Sequence, residues 1–276
     1  MSKIVILAAG RGRRMREEAP GLQLEPEQER MAARGLKGLV PINGRAYLDH
    51  VISAAADAGV DDVCLVVGGG PDPIVEHFAR IGVQRVRLQA AVQSEPIGTA
   101  DALLAAEPFA AGEPVIVINS DNYYPAPVLA ALRAVEGNAM AGFRADTLTS
   151  RGNVTPDRIA AYALAIANGD GDLERIIEKP NLRVQPTAPE HTPSPLGRAW
   201  VSMTCWRFGP RIFDACRAID RSVRGEFELV DAVSHAIDVL GQRFRIIPVD
   251  EPVIDLSCRE DIETASRWLR GHEVRL

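Results

Sequence analysis

Two aspartates in this 276-residue chain each close a short apolar run: Asp121 follows Val115-Ile116-Val117-Ile118 through Asn119-Ser120, and Asp255 follows Val253-Ile254. Carboxylates at strand ends can hold a hard cation such as Mg²⁺, which takes one or two carboxylates together with phosphate oxygens. Cationic side chains lie elsewhere in the chain: Arg13 and Arg14 beside Gly10 and Gly12, Lys37 at the start of a short apolar segment, and Lys179 in Glu178-Lys179-Pro180. Gly10 and Gly12 let the backbone turn sharply after Leu7-Ala8 and bring its N–H groups close to an anion. Gln93, ahead of Ser94-Glu95-Pro96-Ile97-Gly98-Thr99-Ala100, carries a donor and an acceptor that suit a base edge. Ser257 and Glu260 read as a capping box for the last helix, which leaves Asp255 without a structural duty. Taken singly, each feature also reads as something plainer: a turn aspartate, a solvated lysine, a helix-entry turn capped by Thr99.

The elements that must position these residues alternate between two periods. Ile4-Val5-Ile6-Leu7 and Asp62 to Val67 read as strands covered on both faces, and further strands are expected at Arg85 to Gln89, Pro114 to Ile118 and Met140 to Arg144. Between them, Tyr47 to Ala58 places Tyr47, Leu48, Val51, Ile52 and Ala55 on one helical face, and Asp72-Pro73 caps another helix. Helices at Thr99 to Ala106 and Pro125 to Val135 complete a run of strand–helix units, the pattern of a parallel sheet with ligands at its carboxyl edge. In the second half, Ile159 to Ile166 and Leu173 to Ile177 flank Asn168-Gly169-Asp170-Gly171, a hairpin signal. Four prolines mark 181–197 as a long loop. A strand at Ala199 to Phe208, helices at Pro210 to Ile219 and Leu229 to Leu240, a strand at Phe244 to Val249 and a terminal helix from Arg259 follow. No composition shift marks a linker.

With 46% hydrophobic and 25% charged residues the composition is that of a globular protein, and a net charge of −6 supplies no general field for nucleic acid or an anionic membrane. The isolated arginines at 11–14 therefore do not read as an RNA-binding surface. Four scattered cysteines without C-x-x-C spacing argue against a disulfide framework or a zinc site. The chain enters its first strand directly, with no signal peptide and no apolar run of membrane-spanning length, so the expectation is a cytoplasmic protein.

In their order, Gly10-x-Gly12-x-Arg14-Met15, Lys37 followed by Pro41, Gln93 with Pro96-x-Gly98-Thr99-Ala100, Ser120-Asp121, Glu178-Lys179-Pro180 and the late Asp255 resemble the motifs of the sugar-1-phosphate nucleotidylyltransferases, over about residues 3 to 260. The resemblance implies an α/β, GT-A-like (Rossmann-like), mostly parallel mixed sheet flanked by helices, with a smaller antiparallel sugar-binding portion. It implies one domain over 1–276, with a nucleotide-binding half at about 1–135 and a sugar-binding and C-terminal half at about 136–276. The implied reaction joins an NTP to a sugar 1-phosphate, or a similar phosphomonoester, and releases pyrophosphate. Leu7, Ala8, Gly10, Gly12, Arg13, Gln93, Gly98 and Thr99 would then surround the nucleotide, and Arg14, Lys37 and Lys179 would act on phosphates. Glu178, Lys179 and Gly142 would hold the sugar phosphate, and Asp121 and Asp255 would bind Mg²⁺. Neither nucleic acid nor membrane is an expected partner, whereas a homo-oligomer is compatible with the pattern. The alternatives are a non-catalytic regulatory relative that binds a nucleotide sugar, and a cytidylyltransferase acting on a non-sugar phosphate.

Two stretches depart from the family pattern. Arg13 stands where the family has Ser or Thr, and the path from the Gly-rich loop to Lys37 is longer, so that 16–35 reads as a lid over the nucleotide. Trp200 and Met203 occupy a strand where the family has sugar contacts and read as core.

Overall fold

Along the first strand the side chains alternate between two separate cores. Ile4 and Ile6 pack on one face with the helices Tyr47–Asp57 and Ala126–Ala134, while Val5 and Leu7 pack on the other with Thr99–Ala105, Ile212–Ala218 and Leu229–Asp238. Period-two alternation along a strand requires this when both faces are covered, which explains why the strand is apolar from Ile4 to Leu7. The result is a three-layer arrangement of helices, sheet and helices. The computed structural model describes residues 2–178 and 199–276.

In chain order the strands are β1 (Lys3–Leu7), β2 (Pro41–Ile42), β3 (Arg45–Ala46), β4 (Asp62–Gly68), β5 (Arg87–Gln93), β6 (Val115–Asn119), β7 (Asn122–Tyr123), β8 (Asn138–Phe143), β9 (Ala163–Ala167), β10 (Leu173–Ile177), β11 (Ala199–Ser202), β12 (Cys205–Phe208), β13 (Phe244–Val249) and β14 (Ile254–Asp255). The main sheet runs β10-β9-β11-β8-β12-β6-β1-β4-β5, with β13 beside β8. Strands β1, β4, β5 and β6 are mutually parallel, and β13 is parallel to β8, whereas β12 is antiparallel to both β6 and β8. At the far end β11, β9 and β10 pair antiparallel, with the turn built on Asn168, whose side-chain oxygen accepts from the Asp170 and Asp172 amides. One mixed sheet therefore runs through both halves of the chain, with the antiparallel portion at one side.

Several boundaries differ from those expected. Strand β5 lies at Arg87–Gln93 rather than Arg85 to Gln89, so Gln93 is its last residue and not part of a loop. The strand expected at Ala199 to Phe208 is broken at Met203-Thr204, where Thr204 takes φ 57°. Residue Ile159 ends the short helix Pro156–Ile159, and β9 begins only at Ala163. Lys179 and the proline-rich 181–197 segment lie outside the described residues.

Candidate active site

Four parallel strands end at one edge of the sheet, and their register places the loops side by side. Leu7 is opposite both Val66 and Asn119, and Gly68 is opposite Gln93. The Ala8 amide donates to the Val66 carbonyl (2.8 Å) and the Ser120 amide to the Leu7 carbonyl (3.1 Å). The Gly-rich loop after β1, Gly68-Gly69-Gly70, Ser94 to Gly98 and Ser120-Asp121 thus share the carboxyl edge, where open α/β sheets bind ligands.

Gly12 explains how the chain returns to Lys37 after the long 16–36 excursion. It has φ 58°, and a Cβ there would lie 2.2 Å from the Gly35 carbonyl oxygen. Gly35 has φ 73°, and a Cβ on it would lie 2.7 Å from the Arg11 carbonyl oxygen. Two glycines therefore press backbone on backbone and close the excursion at its base, two residues before Lys37. The excursion itself is not a free lid. Its helix Pro26–Ala33 buries Met31 and Ala32, Gln28 Nε2 donates to the Pro41 carbonyl (2.9 Å), and buried Arg259 donates to the Met15 carbonyl (3.1 Å) and to Glu29 (2.5 Å). Arg13 and Arg14 open the short helix Arg13–Arg16; both are exposed, and their side chains make no hydrogen bond or ion pair among the described residues.

Lys37 meets Asp121 directly, Nζ to Oδ2 at 2.9 Å, with side chains 16% and 25% exposed. Asp255 is brought beside them by the small ladder of β7 and β14, in which Asp255 faces Asn122 and the Leu256 amide donates to the Asp121 carbonyl (2.8 Å). The expectation that Asp255 has no structural duty is wrong, because its carboxylate accepts from Ser257 Oγ (2.8 and 3.0 Å), from Arg158 Nη2 (2.5 Å) and from the Tyr162 hydroxyl. Asn153 clips its backbone as well, accepting from the Asp255 amide (2.8 Å) and donating to its carbonyl (2.7 Å). Burial, and then the facing charge of Asp121, push the Asp255 carboxyl above the ordinary carboxylate range, while Arg158 pulls it back. For Arg158, burial works against the charge but Asp255 and Asp261 outweigh it, and its pKa rises. Nor do Ser257 and Glu260 form a capping box. The last helix is Asp261–Trp268, and Asp261 reaches back to accept from the Ser257 and Cys258 amides (2.8 and 2.9 Å).

Gln93 is buried, and its amide nitrogen is fully engaged, donating to the Gly98 carbonyl (2.9 Å) and to Asp101 Oδ2 (2.8 Å). It offers a ligand only an acceptor, not the donor–acceptor pair expected, since both of its N–H bonds are used. Gly98 has φ 135°, and a Cβ there would lie 2.2 Å from the Phe227 carbonyl oxygen. Phe227 is held on both sides, its amide donating to the Ile97 carbonyl (2.8 Å) and its carbonyl accepting from the Ala100 amide (2.9 Å). Thr99 caps a helix other than its own: Oγ1 accepts from the Leu229 amide (2.9 Å) at the start of Leu229–Asp238.

Glu178, just beyond β10, faces Arg224 Nη2 at 3.2 Å, and the same nitrogen is 2.6 Å from Glu228. Burial raises the Glu178 pKa, against the pull of Arg224. Gly142, expected at the sugar, is buried in β8, where a Cβ would lie 2.6 Å from Ile246 Cγ2 and 3.0 Å from Trp200. Its small size is therefore explained by packing. Sequence reasoning missed Asn153, Arg158, Tyr162, Arg224, Phe227 and Arg259, each of which has a partner far away in sequence; Arg158 and Asp255 are 97 residues apart, and Arg224 and Glu178 are 46 apart.

The sequence profile of the nucleotidyl transferase family matches residues 3–250, and the chain belongs to that family. It is 30% identical over 270 residues to the UTP–glucose-1-phosphate uridylyltransferase AglF of Haloferax volcanii, with 96% of each chain covered. A glucose-1-phosphate thymidylyltransferase of Streptomyces antibioticus is 27% identical over 86% of this chain, which spans 57% of that relative's length. Among solved structures, a UDP-glucose pyrophosphorylase complexed with UDP-glucose superposes with a TM-score of 0.69 at 17% identity, covering 99% of this chain and all (100%) of the other. The fold is shared with these enzymes, and the protein is a nucleotidyltransferase.

Proposed function

We propose that the protein joins an NTP to a sugar 1-phosphate, forming an NDP-sugar and pyrophosphate. The observation that carries this reading is the convergence of Lys37, Asp121 and Asp255 beside the Gly10–Gly12 loop at the carboxyl edge of the sheet. In the reaction an oxygen of the sugar phosphate bonds to the α-phosphorus, and the bond from that phosphorus to the bridging oxygen of pyrophosphate breaks. A phosphomonoester, with a second pKa of about 6, is already a nucleophile at neutral pH, so no general base is needed. The difficulty is to bring two polyanions together: at an effective dielectric of 20 each pair of like charges 4 Å apart costs about 4 kcal/mol.

The chain meets that repulsion with placed charges. Backbone amides of the Gly-rich loop and the exposed guanidinium of Arg14 bind the triphosphate, with Arg13 beside them. Lys37 Nζ moves from Asp121 to phosphate when the substrates arrive, and Lys179, next to Glu178 in sequence, is assigned to the sugar phosphate. Gln93 holds the 94–98 turn and presents its oxygen to a base edge that offers an N–H, as uracil and thymine do.

The residues present fit a divalent cation. Of the two Asp121 carboxylate oxygens only Oδ2 takes a hydrogen bond among the described residues, and Asp255 Oδ1 has a single donor, Ser257. Asp121 and Asp255 would hold Mg²⁺, which when bound supplies positive charge to the transferring phosphates. The test is a matrix of the common NTPs against a panel of sugar 1-phosphates with Mg²⁺, scored by pyrophosphate release. Release in one or a few pairings is expected. Binding of nucleotide sugars without release in any pairing would favour the regulatory reading, and release only when CTP is paired with a non-sugar phosphate added to the panel would favour a cytidylyltransferase.

A further inference from the structure

Each carboxylate of the Asp121 and Asp255 pair already has a cation of the protein on it. Lys37 lies 2.9 Å from Asp121, and Arg158 lies 2.5 Å from Asp255. The second pair is the deeper, with Asp255 3% and Arg158 18% exposed at the side chain.

Arg158 is not needed to hold Asp255 still. Asn153 clips the backbone on both sides, and Ser257 and Tyr162 bond the carboxylate. What Arg158 adds is charge. It comes at a cost, since Nε is buried with no partner among the described residues, an arrangement that folded proteins rarely keep. Its other nitrogen, Nη1, is anchored 2.7 Å from Asp261, which is itself occupied by the Ser257 and Cys258 amides and by Asn153. The guanidinium is thereby fixed beside Asp255 and cannot swing away, whereas Lys37, on a flexible stem, can.

We propose that Arg158, with Lys37, is a resident counter-ion that keeps the aspartate pair from holding a divalent cation on its own, so that the cation is retained only with a bound triphosphate. The formal charges of Asp121, Asp255, Lys37 and Arg158 sum to zero, and Asp261, which shares Arg158, brings the group to −1, so a lone divalent cation meets less negative charge than the −2 of two unpaired carboxylates. A triphosphate reverses this by drawing Lys37 onto itself and adding its own negative charge. The inference rests on the reading of Asp121 and Asp255 as cation ligands. It adds to that reading an order of assembly, cation with nucleotide, and a residue that enforces it.

The experiment uses Mn²⁺ as the probe, followed on the full chain by its free electron-paramagnetic signal and by water-proton relaxation, without turnover. In the absence of nucleotide, Arg158→Gln is expected to bind Mn²⁺ at least 10-fold more tightly than the unaltered protein, Arg158→Lys is expected to resemble the unaltered protein, and Asp255→Asn added to Arg158→Gln is expected to abolish the gain. A folded Arg158→Gln protein with unchanged or weaker Mn²⁺ binding, or a gain that survives Asp255→Asn, overturns the proposal. If Arg158→Gln does not fold, Lys37→Met carries the same expected gain at Asp121, and its absence overturns the proposal equally. The underlying reading has its own arm: with tripolyphosphate present, Asp121→Asn and Asp255→Asn are each expected to weaken retention of Mn²⁺ on the protein. Loss in that arm with no gain in the first removes the counter-ion role and leaves the cation site standing; no loss in that arm removes both.

Discussion

Replacing Gly12 by alanine tests whether the contact between the Gly-rich loop and Gly35 sets the position of Lys37. The new Cβ would lie 2.2 Å from the Gly35 carbonyl oxygen and 2.8 and 2.9 Å from its Cα and C. Ordinary contact needs about 3.4 Å, so the Gly35 backbone must retreat by roughly 1 Å, and no side chain can turn aside to absorb it. The left-handed φ of 58° adds about 1 kcal/mol of strain for alanine, and overpacking adds about 1–3 kcal/mol. Together these give a loss of about 2–4 kcal/mol, read as a melting temperature lower by roughly 3–7 °C for a chain of this size. Catalysis should suffer more than stability, because displacement of a positioned group by about 1 Å can cost about 100-fold in rate. Steady-state kinetics and thermal melts on Gly12→Ala check both numbers. Gly35→Ala meets the Arg11 carbonyl from the other side and should show the same pairing of effects. A Gly12→Ala protein with unaltered melting temperature and kcat would refute the reasoning.

Lys37→Met should leave a folded protein whose pyrophosphate release falls by about 100-fold or more, since the group is asked to stabilise transferring phosphate; near-normal turnover would remove it from the mechanism. Thr99→Ala should cost about 1 kcal/mol by freeing the Leu229 amide, with Thr99→Ser restoring most of it in denaturant titrations. Buried His50, whose Nε2 bonds the Ile42 carbonyl at 3.1 Å, gives a pH dependence with a definite sign. Burial lowers its folded-state pKa below the ordinary 6.5, so as pH falls the unfolded chain takes up this proton first. Its contribution is complete above pH 6.5 and is lost as pH drops from there toward the lowered folded value. Thermal melts between pH 8 and about 5 should show a decline that His50→Gln flattens, and an equal decline in both proteins would assign the effect elsewhere.

The legible part of the fold is the part written in local periodicity. Continuous apolar runs, buried on both faces, made β1, β4 and β6 readable, and the Asp72 cap appears as expected, its side chain accepting from the Ile74 amide at 2.8 Å. Edge strand β5 was misplaced because, with a face in solvent, Arg87-Leu88-Gln89-Ala90-Ala91 carries no continuous apolar run. At the site, residue types pointed to the right loops, but not to what each side chain does. Gln93 has spent its donor on Gly98 and Asp101, Thr99 caps a helix that begins 130 residues later, and Asp255 is embedded in contacts with Asn153, Arg158 and Tyr162. No local pattern encodes such pairings, since each requires the sheet order to bring distant segments together. Gly12 was read as a phosphate-loop glycine. Its backbone contact with Gly35 supplies a second reason for glycine there, and also explains how an excursion of this length leaves Lys37 in place.

The central claim is nucleotidyl transfer, and the fate of the α-phosphorus tests it most directly. With an NTP labelled at that atom and a sugar 1-phosphate that supports pyrophosphate release, the label should appear in the sugar nucleotide and not in pyrophosphate. Recovery of the label as nucleoside monophosphate or diphosphate, with none joined to the sugar phosphate, would contradict the account.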